Sequence, residues 1–240
     1  MMKRLFASLI CMLLLFSGAY AQKIYLVAAG ISDYPGNDHD LRLPAKDAKK
    51  VCWLYQKNKK ASTVLLTDSK ATKSSILSNI KKQFAKAGKK DIVVFYFSGH
   101  GYPGGFVCHN DEELTYGEVR KAMSLSQSLN KMIFADACFS GKMRGNQNGG
   151  NSSNSNANVM LFLSSRDNET SLESPFLANG FFTTALQNGL RGGADADKNR
   201  TITAKELFNY VSKEVKKLSN DEQHPVMWGK FKDSMPVMVW

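Results

Sequence analysis

The chain has 240 residues, of which 43% are hydrophobic and 22% are charged, enough for one sizeable core. Its formal net charge is +11, but no aromatic interleaving or nucleic-acid motif accompanies the lysines. We therefore expect a solvated basic surface and no nucleic-acid partner, although loose attraction to anionic surfaces stays open. The lysines are scattered along predicted helices, for example Lys49, Lys50, Lys81, Lys82, Lys89, Lys90, Lys216 and Lys217.

The first residues read as a targeting segment. A basic start is followed by an apolar run over residues 5–16 and by a small-residue ending at Ala21. This pattern predicts a signal peptide over residues 1–21, cleaved near Ala21. The alternative is an uncleaved anchor helix, but the apolar run is shorter than the ~20 residues a membrane span needs. We expect one domain over residues 22–240, secreted or periplasmic and without membrane contact once the signal is removed.

Cysteine usage leaves two possibilities open. Cys11 lies in the targeting segment, so three cysteines remain in the exported chain: Cys52, Cys108 and Cys138. An odd number in an exported protein indicates an unpaired structural thiol or a reactive one. Cys52 and Cys108 are able to pair and leave Cys138 free, but the sequence does not decide whether they do.

The first part of the exported chain alternates short apolar runs with amphipathic segments. A small hairpin arm is predicted at 104–109. The helix that follows it starts with a capping box formed by Thr115 and Glu118. Strands are predicted at 23–31, 62–66, 91–98 and 131–135, and helices at 44–57, 73–87 and 115–123.

The second part begins with a break in this rhythm. Residues 142–158 are rich in Asn, Gly and Ser, which predicts a mobile exposed loop. Order then resumes with strands at 159–163 and 235–240, and with helices at 181–190 and 204–218. The alternation predicts an α/β three-layer sandwich, in which helices cover both faces of a mostly parallel six-stranded sheet.

Two strand ends carry reactive side chains. FYFSGHG at 95–101 presents His100, and FADACFSG at 134–141 presents Cys138. Ligands meet the carboxyl ends of the strands in such a sheet, so both residues are expected at one cleft. An imidazole there raises the thiolate fraction of a cysteine or removes its proton during attack. Backbone N–H groups at Gly101 and Cys138 are candidate oxyanion donors.

The two motifs together resemble those of the caspase-like cysteine peptidases, and within them the metacaspases and their bacterial relatives. Supporting segments are GISDY after the first strand, LRLPAKDA at 41–48, SSR after the fifth strand and GFFT at 180–183. The resemblance implies a caspase-fold endopeptidase with a His100–Cys138 dyad, no required third member and no required cofactor. We expect it to act as a monomer on peptides or proteins.

The strand period suggests a specificity pocket. Ser98 and Asp136 lie two residues before His100 and Cys138, so their side chains are able to face the same side as the dyad. In metacaspases the matching Asp and Ser, with an Asp aligned to Asp47, line the pocket for the residue that precedes the scissile bond. The resemblance thus implies cleavage after Arg or Lys. A solvated helix position for Asp47 stays open.

One residue departs from the metacaspase pattern, and one segment is a candidate site of self-cleavage. Pro44 stands where metacaspases often have a second cysteine, so the sequence departs from their pattern near the pocket. Lys142 and Arg144 follow the nucleophile in the predicted loop, where relatives of this fold are often processed. We hypothesise self-cleavage after one of them; an uncut surface loop is the alternative.

One further segment has the spacing of an EF-hand-like calcium loop. Arg200 replaces the glycine that such loops use at the sharp turn, which disfavours both the backbone geometry and the charge. A working Ca²⁺ site and a loop that merely caps the last helix are both open. Oxygen side chains occupy positions 1, 3, 5, 7, 9 and 12, namely Asp195, Asp197, Asn199, Thr201, Thr203 and Glu206.

Two other functions stay open from the sequence. One is a catalytically silent caspase-like scaffold, which the presence of both dyad residues and Asp136 disfavours. The other is a peptidase of the clostripain or gingipain type, which shares a His-Gly and a later Cys. The wording around Cys138 and the modest length favour the metacaspase-like branch.

Overall fold

The computed structural model of the protein describes residues 22–102, 104–137, 159–164 and 180–240. Several predictions concern residues outside these ranges. They are the targeting segment, Cys138, the 142–158 loop with Lys142 and Arg144, and the SSR segment after its first serine.

Eleven strands and five α-helices are described, close to the predicted bounds. The strands are β1 (Ile24–Gly30), β2 (Ala61–Thr67), β3 (Ile92–Gly99), β4 (Gly101–Tyr102), β5 (Gly105–Val107), β6 (Glu113–Thr115), β7 (Asn130–Ala137), β8 (Val159–Leu163), β9 (Thr201–Thr203), β10 (Val226–Trp228) and β11 (Pro236–Val239). The helices are α1 (Pro44–Gln56), α2 (Lys73–Phe84), α3 (Tyr116–Ser124), α4 (Phe181–Asn188) and α5 (Ala204–Leu218).

The main sheet has six strands in the order β10-β8-β7-β3-β1-β2. Five of them are parallel, and β10 pairs with β8 in the antiparallel direction. The predicted α/β sandwich with a mostly parallel six-stranded sheet is therefore confirmed. None of the helices in the described ranges has the length and apolar character to cross a membrane.

The sixth strand is not the segment that the sequence suggested. The predicted 235–240 strand exists as β11, but it pairs with β9 in a separate two-stranded sheet. One edge of the main sheet is instead formed by the three-residue β10, where the sequence pattern predicted no strand. The predicted hairpin arm is likewise larger, because β4, β5 and β6 form a three-stranded sheet.

Two apolar cores lie on the two sides of the main sheet. Alternate residues of the central strand β3 divide between them, with Val94 and Tyr96 in the first and Phe95 and Phe97 in the second. Helices α1, α4 and α5 cover the first core, and α2 and α3 cover the second. Strands buried on both faces explain why the sequence shows continuous apolar runs rather than alternation.

The two described cysteines lie in different cores. Cys52 belongs to the first core and Cys108 to the second, and both are free thiols. The pairing that the sequence left open is therefore not formed. Burial raises the pKa of the Cys52 thiol, and it raises the pKa of Cys108 to about 12. Both thiols stay protonated at neutral pH and serve as packing residues.

Candidate active site

The two reactive turns follow neighbouring strands. β3 and β7 are parallel, with Ser98 opposite Asp136 and Gly99 opposite Ala137. His100 comes directly after this pairing, as does Cys138, which lies outside the described residues. The register thus brings the two strand ends to the same level of the sheet.

The imidazole of His100 is held by a backbone carbonyl. Its Nε2 atom lies 2.7 Å from the carbonyl oxygen of His39, which belongs to the loop between β1 and α1. Because a carbonyl only accepts, Nε2 must carry the hydrogen, and Nδ1 of the neutral ring keeps its lone pair. The ring is partly exposed to solvent. The arrangement leaves Nδ1 as the basic atom.

Tyr34 fixes the same histidine from a second direction. Its hydroxyl accepts the backbone N–H of His100 at 2.8 Å and lies 3.3 Å from the carbonyl of Val107. The Tyr34 and His100 ring centroids are 4.7 Å apart. Tyr34 is only 3% exposed, and burial raises the pKa of its hydroxyl, so it stays neutral.

Gly99 makes room for that hydroxyl. A Cβ atom added at Gly99 would lie 2.7 Å from the Tyr34 oxygen, and the backbone there has a φ of +153°. Both observations favour glycine, because a side chain would push the tyrosine away from His100. The glycine of the SGHG motif therefore serves the position of the base.

The loop that supplies Tyr34 and His39 is tied down by acidic side chains. The Asp68 carboxylate accepts the backbone N–H groups of Ser32 at 2.9 Å and Asp33 at 3.2 Å. Inside the loop, the N–H of Tyr34 donates to Asp40 at 3.0 Å. These bonds give an irregular segment the fixed shape that its carbonyl contact to His100 requires.

The proposed pocket residues are buried together near the start of α4. Asp47 is 1% exposed, Ser98 2% and Asp136 8%. Asp136 accepts the N–H of Thr183 at 3.2 Å and its hydroxyl at 2.7 Å. The alternative of a solvated helix position for Asp47 is therefore wrong.

The carboxyl groups of Asp47 and Asp136 share two neighbours, Gly180 and Tyr96. The N–H of Gly180 lies 3.4 Å from the Asp47 carboxylate, while a Cβ on Gly180 would lie 2.8 Å from Asp136. Tyr96, whose hydroxyl is 2.6 Å from the Thr183 hydroxyl, has its pKa raised by burial and by the charges of Asp47 and Asp136. The start of α4 thus gathers the carboxyl groups of Asp47 and Asp136.

Gly101 starts β4 immediately after His100 and pairs with Phe106 in the three-stranded sheet. The carbonyl of His100 accepts the N–H of Val107 at 3.0 Å, which anchors the backbone on both sides of the turn. The second candidate oxyanion donor, Cys138, lies outside the described residues.

The calcium-like loop brings three carboxylates together. Ligand oxygens of Asp195, Asp197 and Glu206 all lie within 4.8 Å of one another. Arg200 adopts a φ of +67°, the left-handed conformation that glycine usually supplies. Asn199 donates its N–H to both Asp195 and Asp197 at 3.1 Å.

The rest of the loop is built into the fold. Thr201 lies in β9, which pairs with β11, and Glu206 forms a capping box with Thr203 at the start of α5. Glu206 also accepts the N–H of Ala196 at 3.1 Å. Glu206 therefore caps α5, and this capping leaves the ligand spacing intact.

The comparisons with known proteins identify the family. The sequence model of the family described as the caspase domain matches residues 25–235. The chain belongs to the caspase domain family. As a member, it is a cysteine-type peptidase that acts on peptide or protein substrates. No curated protein matches the sequence significantly.

Solved structures share the fold of this caspase-domain protein at low sequence identity. A structural-genomics protein of Geobacter sulfurreducens is 17% identical with a TM-score of 0.62, over 86% of this chain and 92% of its own. Caspase-1 of Spodoptera frugiperda is 13% identical with a TM-score of 0.62, over 87% of each chain.

Three contacts of the caspase-domain site were not found from the sequence. They are the His39 carbonyl, the Tyr34 hydroxyl and the Thr183 side chain. GISDY contains Tyr34 and GFFT contains Thr183, so the resemblance marked both segments without giving them roles. A backbone carbonyl leaves no residue-type signal, so His39 could be found only from coordinates.

Proposed function

We propose that this caspase-domain protein is an exported cysteine endopeptidase that cleaves after Arg or Lys by means of His100 and Cys138. The observation that carries the proposal is the pair of buried carboxylates, Asp47 and Asp136, beside the turn that bears the base. A lysine or arginine side chain there gains charge-assisted hydrogen bonds. An aspartate side chain would meet like charge.

The chemistry would run through a thioester. The Cys138 sulfur attacks the substrate carbonyl carbon, and Nδ1 of His100 takes the thiol proton. The His39 carbonyl, bonded to Nε2–H, stabilises the imidazolium that forms. Backbone N–H groups of Gly101 and Cys138 would bind the oxyanion.

Collapse of the tetrahedral species breaks the C–N bond, and the imidazolium gives its proton to the leaving amine. Water then attacks the thioester carbon while His100 accepts one water proton. That proton returns to the departing sulfur, so the carboxylate product leaves and the thiol is restored. The cycle consumes only one water molecule, and no oxidant or metal enters it.

The test compares fluorogenic peptides that end in Arg, Lys or Asp. We expect hydrolysis after Arg or Lys, and we expect His100→Ala and Cys138→Ala to abolish it. Asp136→Asn should lower kcat/KM for basic peptides by about a hundredfold, since a buried charge pair is worth a few kcal/mol. Asp233→Asn, at an exposed carboxylate, is the matched control.

Each alternative has its own outcome in this assay. Cleavage only after Asp would overturn the pocket, and activity that survives both dyad substitutions would overturn the dyad. A folded protein that cleaves none of the peptides would favour the silent scaffold.

Self-processing is a further part of the proposal. Lys142 or Arg144 lies a few residues after the nucleophile and has the basic side chain that the pocket would accept. We expect the purified protein to show clipped fragments on a denaturing gel and the Cys138→Ala variant to stay intact. The same pattern for both proteins would reject self-cleavage.

Export is proposed from the targeting segment alone. The protein recovered from the periplasm or culture medium should begin near Gln22 when its amino terminus is sequenced. Recovery of a chain that still begins at Met1 would favour the uncleaved anchor.

Calcium binding at the 195–206 loop is a separate proposal. The convergence of the Asp195, Asp197 and Glu206 oxygens favours it, and Arg200 already adopts the backbone shape that the loop needs. Titration calorimetry should give saturable heat that Asp195→Ala removes. No saturable heat would leave the loop as a helix cap only.

A further inference from the structure

A short surface segment exposes its leucines and buries its serines. Residues 125–129 read Leu-Ser-Gln-Ser-Leu, and the two leucines are 65% and 62% exposed while Ser126 is 5% and Ser128 0% exposed. Among the described residues, these leucines and Trp53 are the large hydrophobic side chains left exposed. Burying serines and exposing leucines costs folding free energy. The pattern therefore indicates that the leucines contact something other than this fold.

The inverted arrangement is fixed by hydrogen bonds. The Ser126 hydroxyl donates to the carbonyl of Phe84 at 2.8 Å, and the Ser128 hydroxyl donates to the carbonyl of Asp91 at 2.7 Å. The N–H of Leu129 donates to the carbonyl of Lys89 at 3.0 Å. These bonds hold the segment against the stretch between α2 and β3, with both leucines directed outward.

Exposed lysines lie in the stretch to which this segment is bonded. Lys86, Lys89 and Lys90 belong to the stretch that the segment contacts, and residues 81–91 contain five lysines but one acidic residue, Asp91. Asp91 accepts the N–H of Lys23 and that of Gly88, both at 2.9 Å. We call Leu125, Leu129, Lys23, Lys86, Lys89 and Lys90 the amino-edge surface, because they lie where β1, β3 and β7 begin.

The chain enters the fold at this surface. Lys23 directly precedes β1, and its N–H bond to Asp91 places that entry beside the lysines. The apolar run at residues 5–16 lies upstream by only a few residues. A membrane that engages this apolar run during export would therefore lie close to the amino-edge surface.

From these observations we infer, contrary to the sequence expectation of no membrane contact after signal cleavage, that the amino-edge surface docks on an anionic phospholipid bilayer. Leucines that enter the headgroup boundary and lysines that meet anionic lipid are the two components of interfacial binding. A nucleic acid would use the lysines but would have no use for two projecting leucines. The carboxyl ends of the strands, with His100, lie at the opposite end of the sheet from this surface. They would face away from the lipid. This inference does not depend on the proposed peptidase specificity.

The test uses the exported protein and sedimentation with vesicles of neutral phosphatidylcholine, with or without phosphatidylglycerol. We expect binding to the anionic vesicles only, and release in high salt. Replacing Lys86, Lys89 and Lys90 together by Gln should weaken partition by about a hundredfold, since each lysine contributes about fivefold. Leu125→Ser with Leu129→Ser should weaken it by about tenfold.

Matched controls keep the test specific. Replacing Lys205, Lys213 and Lys217 by Gln removes the same charge from α5, and Trp53→Ser removes an exposed hydrophobic side chain from α1; neither should change binding. Equal binding to both vesicle types, or binding unchanged in the leucine variant, would overturn the inference. So would a dimer in solution that the leucine variant converts to a monomer, because the partner would then be a second copy. Basic-peptide hydrolysis should persist in all variants, which separates this result from that of the peptide assay.

Discussion

At the scale of single residues, His100 is restrained at three points. Its N–H is held by the Tyr34 hydroxyl, its Nε2 by the His39 carbonyl, and its ring by the Tyr34 ring. A base with one orientation loses little entropy when it meets a substrate. The restraint therefore acts on the rate of reaction more than on substrate binding.

Tyr34→Phe tests this restraint. The variant keeps the ring but leaves the His100 N–H without its acceptor, so we expect kcat to fall about tenfold with KM nearly unchanged. Kinetics with a basic peptide measures both constants.

Tyr25→Phe is the control for Tyr34→Phe, because it removes a tyrosine hydroxyl at the start of β1, the end of the strand away from His100. Thermal unfolding of both variants separates misfolding from a lost contact. If Tyr34→Phe raised KM and left kcat intact, the positioning role would be wrong.

At the scale of elements, the junction between β1 and α1 sets the position of the pocket. A Cβ on Gly30 would lie 2.3 Å from the carbonyl oxygen of Pro44 and 2.6 Å from the Ala48 Cβ. The strand end and the first turn of the helix are therefore in direct backbone contact. Asp47 sits in that first turn, so its depth depends on the contact.

Gly30→Ala should push α1 outward. We expect a loss of about 1–3 kcal/mol in the free energy of unfolding, the usual effect of an overpacked core. We also expect a larger loss of activity on basic peptides than of Cys138 labelling by a small alkylating reagent. Chemical denaturation and the two activity readouts check these expectations.

Gly117→Ala is the comparison for Gly30→Ala. Its Cβ would meet nothing closer than 3.9 Å, and it lies in a helix, where alanine is favoured over glycine. Equal stability changes at the two positions would argue against a specific junction.

The sequence patterns predicted most of the secondary-structure elements but not all of their pairings. Apolar runs located the five parallel strands, and the capping box predicted at Thr115 marks the start of α3 in the structure. β10 escaped because a three-residue edge strand leaves no periodic pattern. β11 was found as a strand but its partner was not, since pairing with β9 is a long-range contact.

The candidate site was predictable to a similar degree. Strand period placed Ser98 and Asp136 on the same side as the dyad, and the structure pairs these two residues across neighbouring strands. The depth of Asp47 was not predictable, because one helix residue among polar neighbours reads equally well as solvated. The Tyr34 and His39 contacts come from an irregular loop, whose shape follows from bonds such as those to Asp68 rather than from any period.

At the scale of the whole molecule, the two cores each hold one buried thiol. Cys52 and Cys108 lie on different sides of the main sheet, so each becomes reactive only when its own core opens. Burial raises the pKa of both, which further suppresses the thiolate. The thiols therefore report separately on the opening of the two layers.

Alkylation followed by mass spectrometry measures this directly. In the native exported protein we expect one fast-reacting cysteine, Cys138, and no labelling of the other two; in denaturant all three should react. Cys138→Ala should show no fast label. Fast native labelling of Cys108 would contradict the buried, protonated state that its surroundings indicate.

The bonds that Thr183 and Gly180 make to the two acids have a consequence for the order of synthesis. The histidine and cysteine turns are translated before residue 141, whereas the helix start that holds Asp47 and Asp136 is translated some forty residues later. A nascent chain thus carries both reactive groups before its acidic pocket is closed. The 142–158 loop is translated in that interval. Under the proposed function, the pocket that would accept Lys142 or Arg144 is then still incomplete. Self-cleavage therefore has to wait until the last helices have docked.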